Sequence, residues 1–348
     1  MKQPRIAAAL ATAVLGITTL PERTKACAGC RNPSLAVTRG SEGPLHEGAV
    51  RVGLSATGTT VHVVHEAGCR DTTSCAEVPV QPTYFHDQRL YPLELRLAAE
   101  YGISETFGVE LQLPLRSVTT TIEYTTPEGA PYEPLDSDVH HRDETVAGLA
   151  DPWLLLRVGK TFEKWWLAAR PGVSLPLGRT EENPFELGDR GLRHQHIQLG
   201  SGTFDPLLVL EASRAIDRVQ LQFFVQGQLP LYENRHGYRA PFRVYGGSSL
   251  GTNLIGKLAG ALGFEAFHEA AEEWHGELRQ DGNLGRTEIL GAAMLRHTLD
   301  ATELTLSVRV PLWREIVTGD EPPGTLSSPV TVSIGVSHVF GGSAETTR

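Results

Sequence analysis

The run Leu93-Glu94-Leu95-Arg96-Leu97-Ala98-Ala99-Glu100-Tyr101, the connection Gly102-Ile103-Ser104-Glu105-Thr106, and the return Phe107-Gly108-Val109-Glu110-Leu111-Gln112-Leu113-Pro114-Leu115 decide how this chain folds. Leu93, Leu95, Leu97, Ala99 and Tyr101 share one parity, and Glu94, Arg96, Ala98 and Glu100 share the other. After the turn, Phe107, Val109, Leu111, Leu113 and Leu115 alternate with Gly108, Glu110 and Gln112. A period of two is the mark of a strand, because successive side chains leave opposite faces of the backbone. The Gly/Ser/Glu connection makes the two arms a hairpin. Each arm is about nine residues long, which suits a tilted strand crossing a bilayer. One face is greasy and the other ionic, as in a wall with lipid on one side and water on the other.

The same reading extends outward. A first strand is expected near Ala49–Glu66, interrupted at Gly58. A second hairpin is expected over Trp153–Leu177, with its turn at Gly159–Lys164. A strand begins at Leu208 and turns at Arg214–Arg218 into the clearest alternation of the chain. There Leu221, Phe223, Val225, Leu229 and Leu231 interleave with Gln222, Phe224, Gln226 and Gln228. Further strands follow at Phe242–Leu250, Leu258–Phe264, Ile289–Leu295, Leu304–Val310 and Val330–Phe340, with short turns expected at Asn253–Lys257 and Thr298–Thr302. The count comes to about twelve, an even number, with short turns and long polar loops in strict alternation. That regularity predicts a transmembrane antiparallel up-and-down β-barrel with short periplasmic turns and long outside loops.

Two echoes support a hairpin repeat. Gly148-Leu149-Ala150-Asp151-Pro152-Trp153-Leu154 matches Gly202-Thr203-Phe204-Asp205-Pro206-Leu207-Leu208, each entering a descending strand. Leu113-Pro114-Leu115, Leu175-Pro176-Leu177, Leu229-Pro230-Leu231 and Val310-Pro311-Leu312 recur where ascending strands end. Proline cannot donate to a ladder, so each should sit at a bulge or beyond the paired region.

These pieces, together with Tyr101-Gly102-Ile103-Ser104-Glu105, resemble the bacterial outer-membrane family named for the MetA pathway of phenol degradation. The resemblance covers residues 85–340. It implies an outer-membrane barrel that passes hydrophobic or aromatic small molecules, and it carries over no catalytic residue. The chain departs from the family pattern in its Cys27-x-x-Cys30 lead-in and in the tail Gly341–Arg348 beyond Phe340.

Composition agrees with export rather than nucleic-acid binding. The 348 residues carry a net charge of −10 and include no Lys/Arg run, which argues against a nucleic-acid partner. The 36 glycines and 22 prolines suit strands and turns. Residues 1–28 read as a signal peptide: Lys2 and Arg5, the apolar Ile6–Leu20, then Ala26-Cys27-Ala28. The expected organisation is signal peptide 1–28, periplasmic lead-in 29–47, barrel 48–340 and tail 341–348. The partners expected are outer-membrane lipid, a small-molecule solute, and a periplasmic protein reached through residues 29–47.

The four cysteines fall in close pairs, Cys27 with Cys30 and Cys69 with Cys75, and two local disulfides are the expectation in an oxidising compartment. A lipid anchor on Cys30 is the other reading. No cofactor is implied.

Parity also names the interior. Glu94, Arg96, Glu100, Glu110, Gln112, Arg157, Arg170, Gln222, Gln226, Gln228, Arg243, Tyr245, Glu265 and Arg309 are expected to line the lumen, either pairing to close it or edging a wet path. The 13 histidines concentrate on the loop side, His62, His65, His86 and His268 among them. Most should be solvated, with His140, His141, His194 and His196 as a speculative metal-capture group. Ser337 and His338 are neighbours on one strand and face opposite ways, no Gly-x-Ser-x-Gly elbow occurs, and Glu272-Glu273 read as solvated loop, so no enzyme is expected. The reading is a passive channel for small solutes. Its alternatives are a plugged barrel acting as a structural or binding module, and a soluble all-β ligand-binding protein.

Overall fold

The structure is a computed structural model that describes residues 23–25, 43–67, 82–134, 142–279, 282–317, 323–328 and 330–341. Among them, twelve strands close a barrel: β1 (Val50–Thr59), β2 (Tyr84–Gly102), β3 (Phe107–Thr125), β4 (Trp153–Phe162), β5 (Trp165–Ser174), β6 (Asp205–Ile216), β7 (Val219–Gln228), β8 (Arg243–Ile255), β9 (Leu258–Glu269), β10 (Arg286–Leu299), β11 (Thr302–Ile316) and β12 (Thr331–Phe340). Each pairs antiparallel with the next, and β12 returns to β1 with Phe340 opposite Val50, so no edge of the barrel wall is left open. The soluble-sandwich alternative is thereby removed.

At one end four of the five hairpins turn in two residues, Glu163-Lys164, Asp217-Arg218, Gly256-Lys257 and Asp300-Ala301, and the β2–β3 hairpin turns in four, 103–106. The first residue of each two-residue turn has φ between 52° and 55°, a conformation that Gly and Asp reach more readily than Glu163 does. These turns are tighter than expected from the sequence, and Gly159 lies inside β4 rather than in a turn. At the other end the connections are long, and short strand segments extend the wall: Val61–Ala67 and Glu144–Leu149. The first strand breaks at Thr60, not Gly58, and β6 starts at Asp205, ahead of Leu208.

The opening hairpin is also longer than its apolar arms. β2 and β3 have 19 residues each, because period-two pairing continues above the greasy band with polar side chains outward. Exposed aromatic side chains mark the band's limits. Tyr101, Phe107, Phe162 and Phe340 ring the turn end, and Tyr91, Phe204, Tyr232, Phe242 and Trp313 ring the loop end. From Tyr91 to Tyr101 is ten residues. At about 3.3 Å each and a tilt of about 40°, that spans about 25 Å, the height of a bilayer-facing apolar belt.

The repeated motifs turn out to be hydrogen-bond partners. Leu175 N donates to Pro152 O at 2.8 Å, and Leu229 N donates to Pro206 O at 3.0 Å, so each Leu-Pro-Leu closes on an Asp-Pro. Pro176 and Pro230 lie just beyond their strands, and Pro311 lies where the β10–β11 register shifts. Pro114 sits inside β3, opposite the gap left where Ala150–Pro152 leave the ladder. None of the four withholds a ladder donor.

Candidate functional site: the barrel interior

Parity decides what the interior contains, and residue size decides how full it is. On β2 to β6 the inward positions carry Glu, Arg and Trp. On β1 and β7 to β12 many of them carry Gly, Ala and Ser. The first half therefore fills its own side of the lumen, while the second leaves a hollow.

The filled side is an ion-pair network. Glu100 accepts from Arg157 Nε at 2.7 Å and from Arg51 Nη1 at 3.2 Å. Arg170 Nη1 lies 3.3 Å from Glu100 and donates to Glu110 at 3.0 Å, while its Nε donates to Glu211 at 3.1 Å. Three arginines thus meet three glutamates with almost no solvent exposure. The chain continues through Gln112, which donates to Glu110 at 2.7 Å and accepts from Arg96 Nη1 at 2.5 Å. Arg96 Nε and Nη2 both reach Glu94 Oε1, at 2.9 and 2.6 Å, and Arg116 holds the other Glu94 oxygen. Charges this deep are tolerated only when paired and hydrogen-bonded, and every one of these is.

The hollow side is a chamber of about 190 Å³. Its wall includes Ser55, Gln222, Gln226, Ser249, Gly263 and Ser333. Glu265 and Arg309 also border it. Arg309 Nε donates to Glu265 at 2.8 Å and to Tyr245 Oη at 3.2 Å, and the Tyr245 hydroxyl donates to Glu265. Tyr245, Phe267 and Leu290 pack together beside this latch. Gln228 and Arg243 border a second space of about 40 Å³. There Gln228 donates to Asp205 at 2.8 Å, and Arg243 Nε donates to Glu269 at 2.7 Å.

Both mouths are narrowed. Beneath the turn end, Leu45 is buried and its carbonyl accepts from Arg157 Nη2 at 3.3 Å. That part of the 29–47 lead-in lies against the barrel, and residues 29–42 lie outside the described residues. At the loop end, Ile197 and Leu199 dip onto the inward face of Leu90, Val118 and Val146. The short helix α1 (Pro184–Asp189), capped by Asn183, carries Phe185 against Tyr238, Ala240 and Trp274 of two other loops. Asp151 anchors this cap, accepting from Gly178 N at 2.8 Å, Ser201 N at 2.5 Å and Ser201 Oγ at 2.8 Å. Burial pushes the Asp151 carboxyl above its ordinary range, against the hydrogen bonds from Ser201 and Gly178 that hold it down.

Several side chains sit elsewhere than the sequence suggested. His86 and His194 are buried rather than solvated, and His268 belongs to β9. Glu272 is buried and accepts from Trp274 Nε1 and Asn283 N, both at 3.3 Å, so it is no solvated loop residue. The His194 and His196 rings lie 5.4 Å apart. His140 and His141, like Cys27, Cys30, Cys69 and Cys75, lie outside the described residues. Among the described residues, no group of three or more His, Cys, Asp or Glu side chains is placed to hold a metal ion. Sequence reasoning missed Trp153, Glu211, Arg51 and Arg116, although Trp153 shares the parity of Arg157 and could have been read inward on that ground.

A closed up-and-down barrel with an aromatic-rimmed apolar exterior and an ionic interior defines a transmembrane β-barrel of the outer-membrane type. No family model matches the chain, so the motif resemblance to the MetA-pathway family stands without one, and no curated protein matches it. Among solved structures it is similar to the COG4313 outer membrane channel from Pseudomonas putida F1, at 11% identity over 87% of this chain and 100% of that one, with a TM-score of 0.58. It also aligns with the P. putida toluene transporter TodX, at 10% identity over 87% of this chain and 94% of that one, with a TM-score of 0.41. At 11% identity the likeness to the COG4313 channel is one of fold alone.

Proposed function

We propose that this protein is an outer-membrane channel through which small solutes pass passively. The observation that carries the reading is the lopsided lumen. One half is locked by ion pairs, and the other keeps a chamber of about 190 Å³ walled by small and polar side chains. Side chains alone fill a barrel of about eight strands, and barrels of 16 or more are open channels, so a partly filled interior suits twelve. An apolar cavity of about 150 Å³ admits benzene, so this chamber suits solutes of about one ring. Hydrophobic or aromatic small molecules, which the motif resemblance implies, fit that size, and the Ser/Gln/Arg wall also accommodates hydrated solutes.

The test is conductance of the purified protein in planar bilayers, paired with liposome swelling over a solute panel. Measurable conductance and size-dependent swelling are expected. Silence in both would remove the channel reading. It would favour the second one, a plugged barrel acting as an anchor or binding module through residues 29–47, for which the buried Leu45 and the docked loops speak.

A further inference from the structure

We infer that Trp153 is the movable leaf of the lumen's constriction, closing against a fixed Arg96. This rests on the channel reading and specifies where that channel is narrowest. Arg96 and Trp153 are the two residues common to the walls of the larger chamber and of the smaller space toward the loops. The pair therefore forms the partition between the two spaces. The Arg96 guanidinium lies over the Trp153 indole, its central carbon 4.6 Å from the ring centroid, an ordinary cation–π distance.

The two halves of the partition are held very differently. Arg96 spends its Nε and both terminal nitrogens on Glu94 and Gln112, and these in turn are held by Arg116 and Glu110. Its plane is fixed by the same network that fills the other wall. Trp153 is partly buried, and among the described residues no hydrogen bond or ion pair ties its indole. Its backbone is paired on both sides, with Gln112 and with Ser174, so the motion belongs to the side chain alone. An indole tied by no hydrogen bond of its own, next to a chamber of about 190 Å³, can turn aside while the guanidinium stays. Small residues of the chamber wall, Ser55 and Gly263 among them, leave that room.

The experiment compares single-channel conductance of the full chain with Trp153→Ala, Trp153→Phe and Leu208→Ala in planar bilayers. Folding of each is checked by circular dichroism and by the heat-dependent gel shift of barrel proteins. If the partition limits flow, Trp153→Ala raises conductance at least about twofold, as removal of a hydrophobic constriction should. Trp153→Phe falls between, and Leu208→Ala, a change on the outer face of β6 away from both spaces, leaves conductance unchanged. A silent wild type with a conducting Trp153→Ala also supports the leaf. Conductance of Trp153→Ala equal to a conducting wild type, or an equal rise in Leu208→Ala, overturns the leaf and leaves the channel standing. Silence in every folded variant overturns both. If Trp153→Ala does not fold, Trp153→Phe decides by the same criterion: an increase supports the leaf, and no change overturns it.

Discussion

Arg157 donates its Nε to Glu100 across 2.7 Å, and neither side chain is exposed to solvent. The two residues stand 57 positions apart in the chain and meet because β2 and β4 both pair with β3, with Glu100 opposite Glu110 and Arg157 opposite Gly108. Such a pair gives little net stability over an apolar filling, but breaking one side of it leaves an uncompensated charge in a low-dielectric space.

Glu100→Ala should therefore destabilise the barrel by about 3–5 kcal/mol, since Arg157, Arg51 and Arg170 all lose a carboxylate partner. Urea titration of refolding into lipid vesicles reads the change. Replacing Glu100 and Arg157 together by Leu and Met should recover most of the loss. An E100A midpoint equal to that of the wild type would mean that the network is not a stability element.

The loop cap depends on Asp151. Asp151→Ala removes an acceptor from Gly178 N, Ser201 N and Ser201 Oγ, bonds of about 1.5–3 kcal/mol each where the acceptor is charged. Trypsin added to intact cells should then cut faster after the exposed Arg190 and Arg193. Unchanged cutting would show that the aromatic docking of Phe185 holds the loop without it.

At the opposite mouth, Gly102 is where the lead-in touches the barrel. A Cβ there would stand 2.2 Å from the His46 carbonyl oxygen, a backbone atom that has to move. Gly102→Ala should cost about 1–3 kcal/mol, as overpacking does, and should speed glutamyl endopeptidase cleavage after Glu47. Gly53→Ala serves as the control, because its nearest neighbours lie at 3.5 and 3.6 Å, an ordinary contact.

The two faces of β7 should respond oppositely to charge. Val225 is exposed on the outer surface, whereas Gln226 borders the chamber. Val225→Arg should lower the free energy of refolding into vesicles by about 2–4 kcal/mol, the cost of a cation at the bilayer midplane. Gln226→Arg should cost far less. Equal costs would mean that the outer face of β7 does not meet lipid.

The alternation in Leu93–Leu115 and Leu221–Leu231 made the faces readable, because a strand's side-chain period is local and needs no partner to define it. Strand ends were less readable. In β2 and β3 the ladder runs on past the apolar arms, where pairing continues after the greasy signal stops. Turn positions slipped for a related reason. Gly159 looks like a punctuator, but in β4 it makes room for the Trp166 ring, which a Cβ would meet at 2.5 Å.

By itself, then, the sequence determined that the chain forms strands, that they come as hairpins with alternating connection lengths, and which side chains share a face. It did not determine which inward charges meet. Arg170 joins Glu110 and Glu211, 60 and 41 positions away, only once β3 to β6 pair side by side in this register and bring their inward sides within one guanidinium's reach. The split of the lumen into a filled and a hollow half was likewise decided by tertiary structure. It depends on inward volumes summed across all twelve strands, and a sum around a ring has no signature in any single stretch of chain.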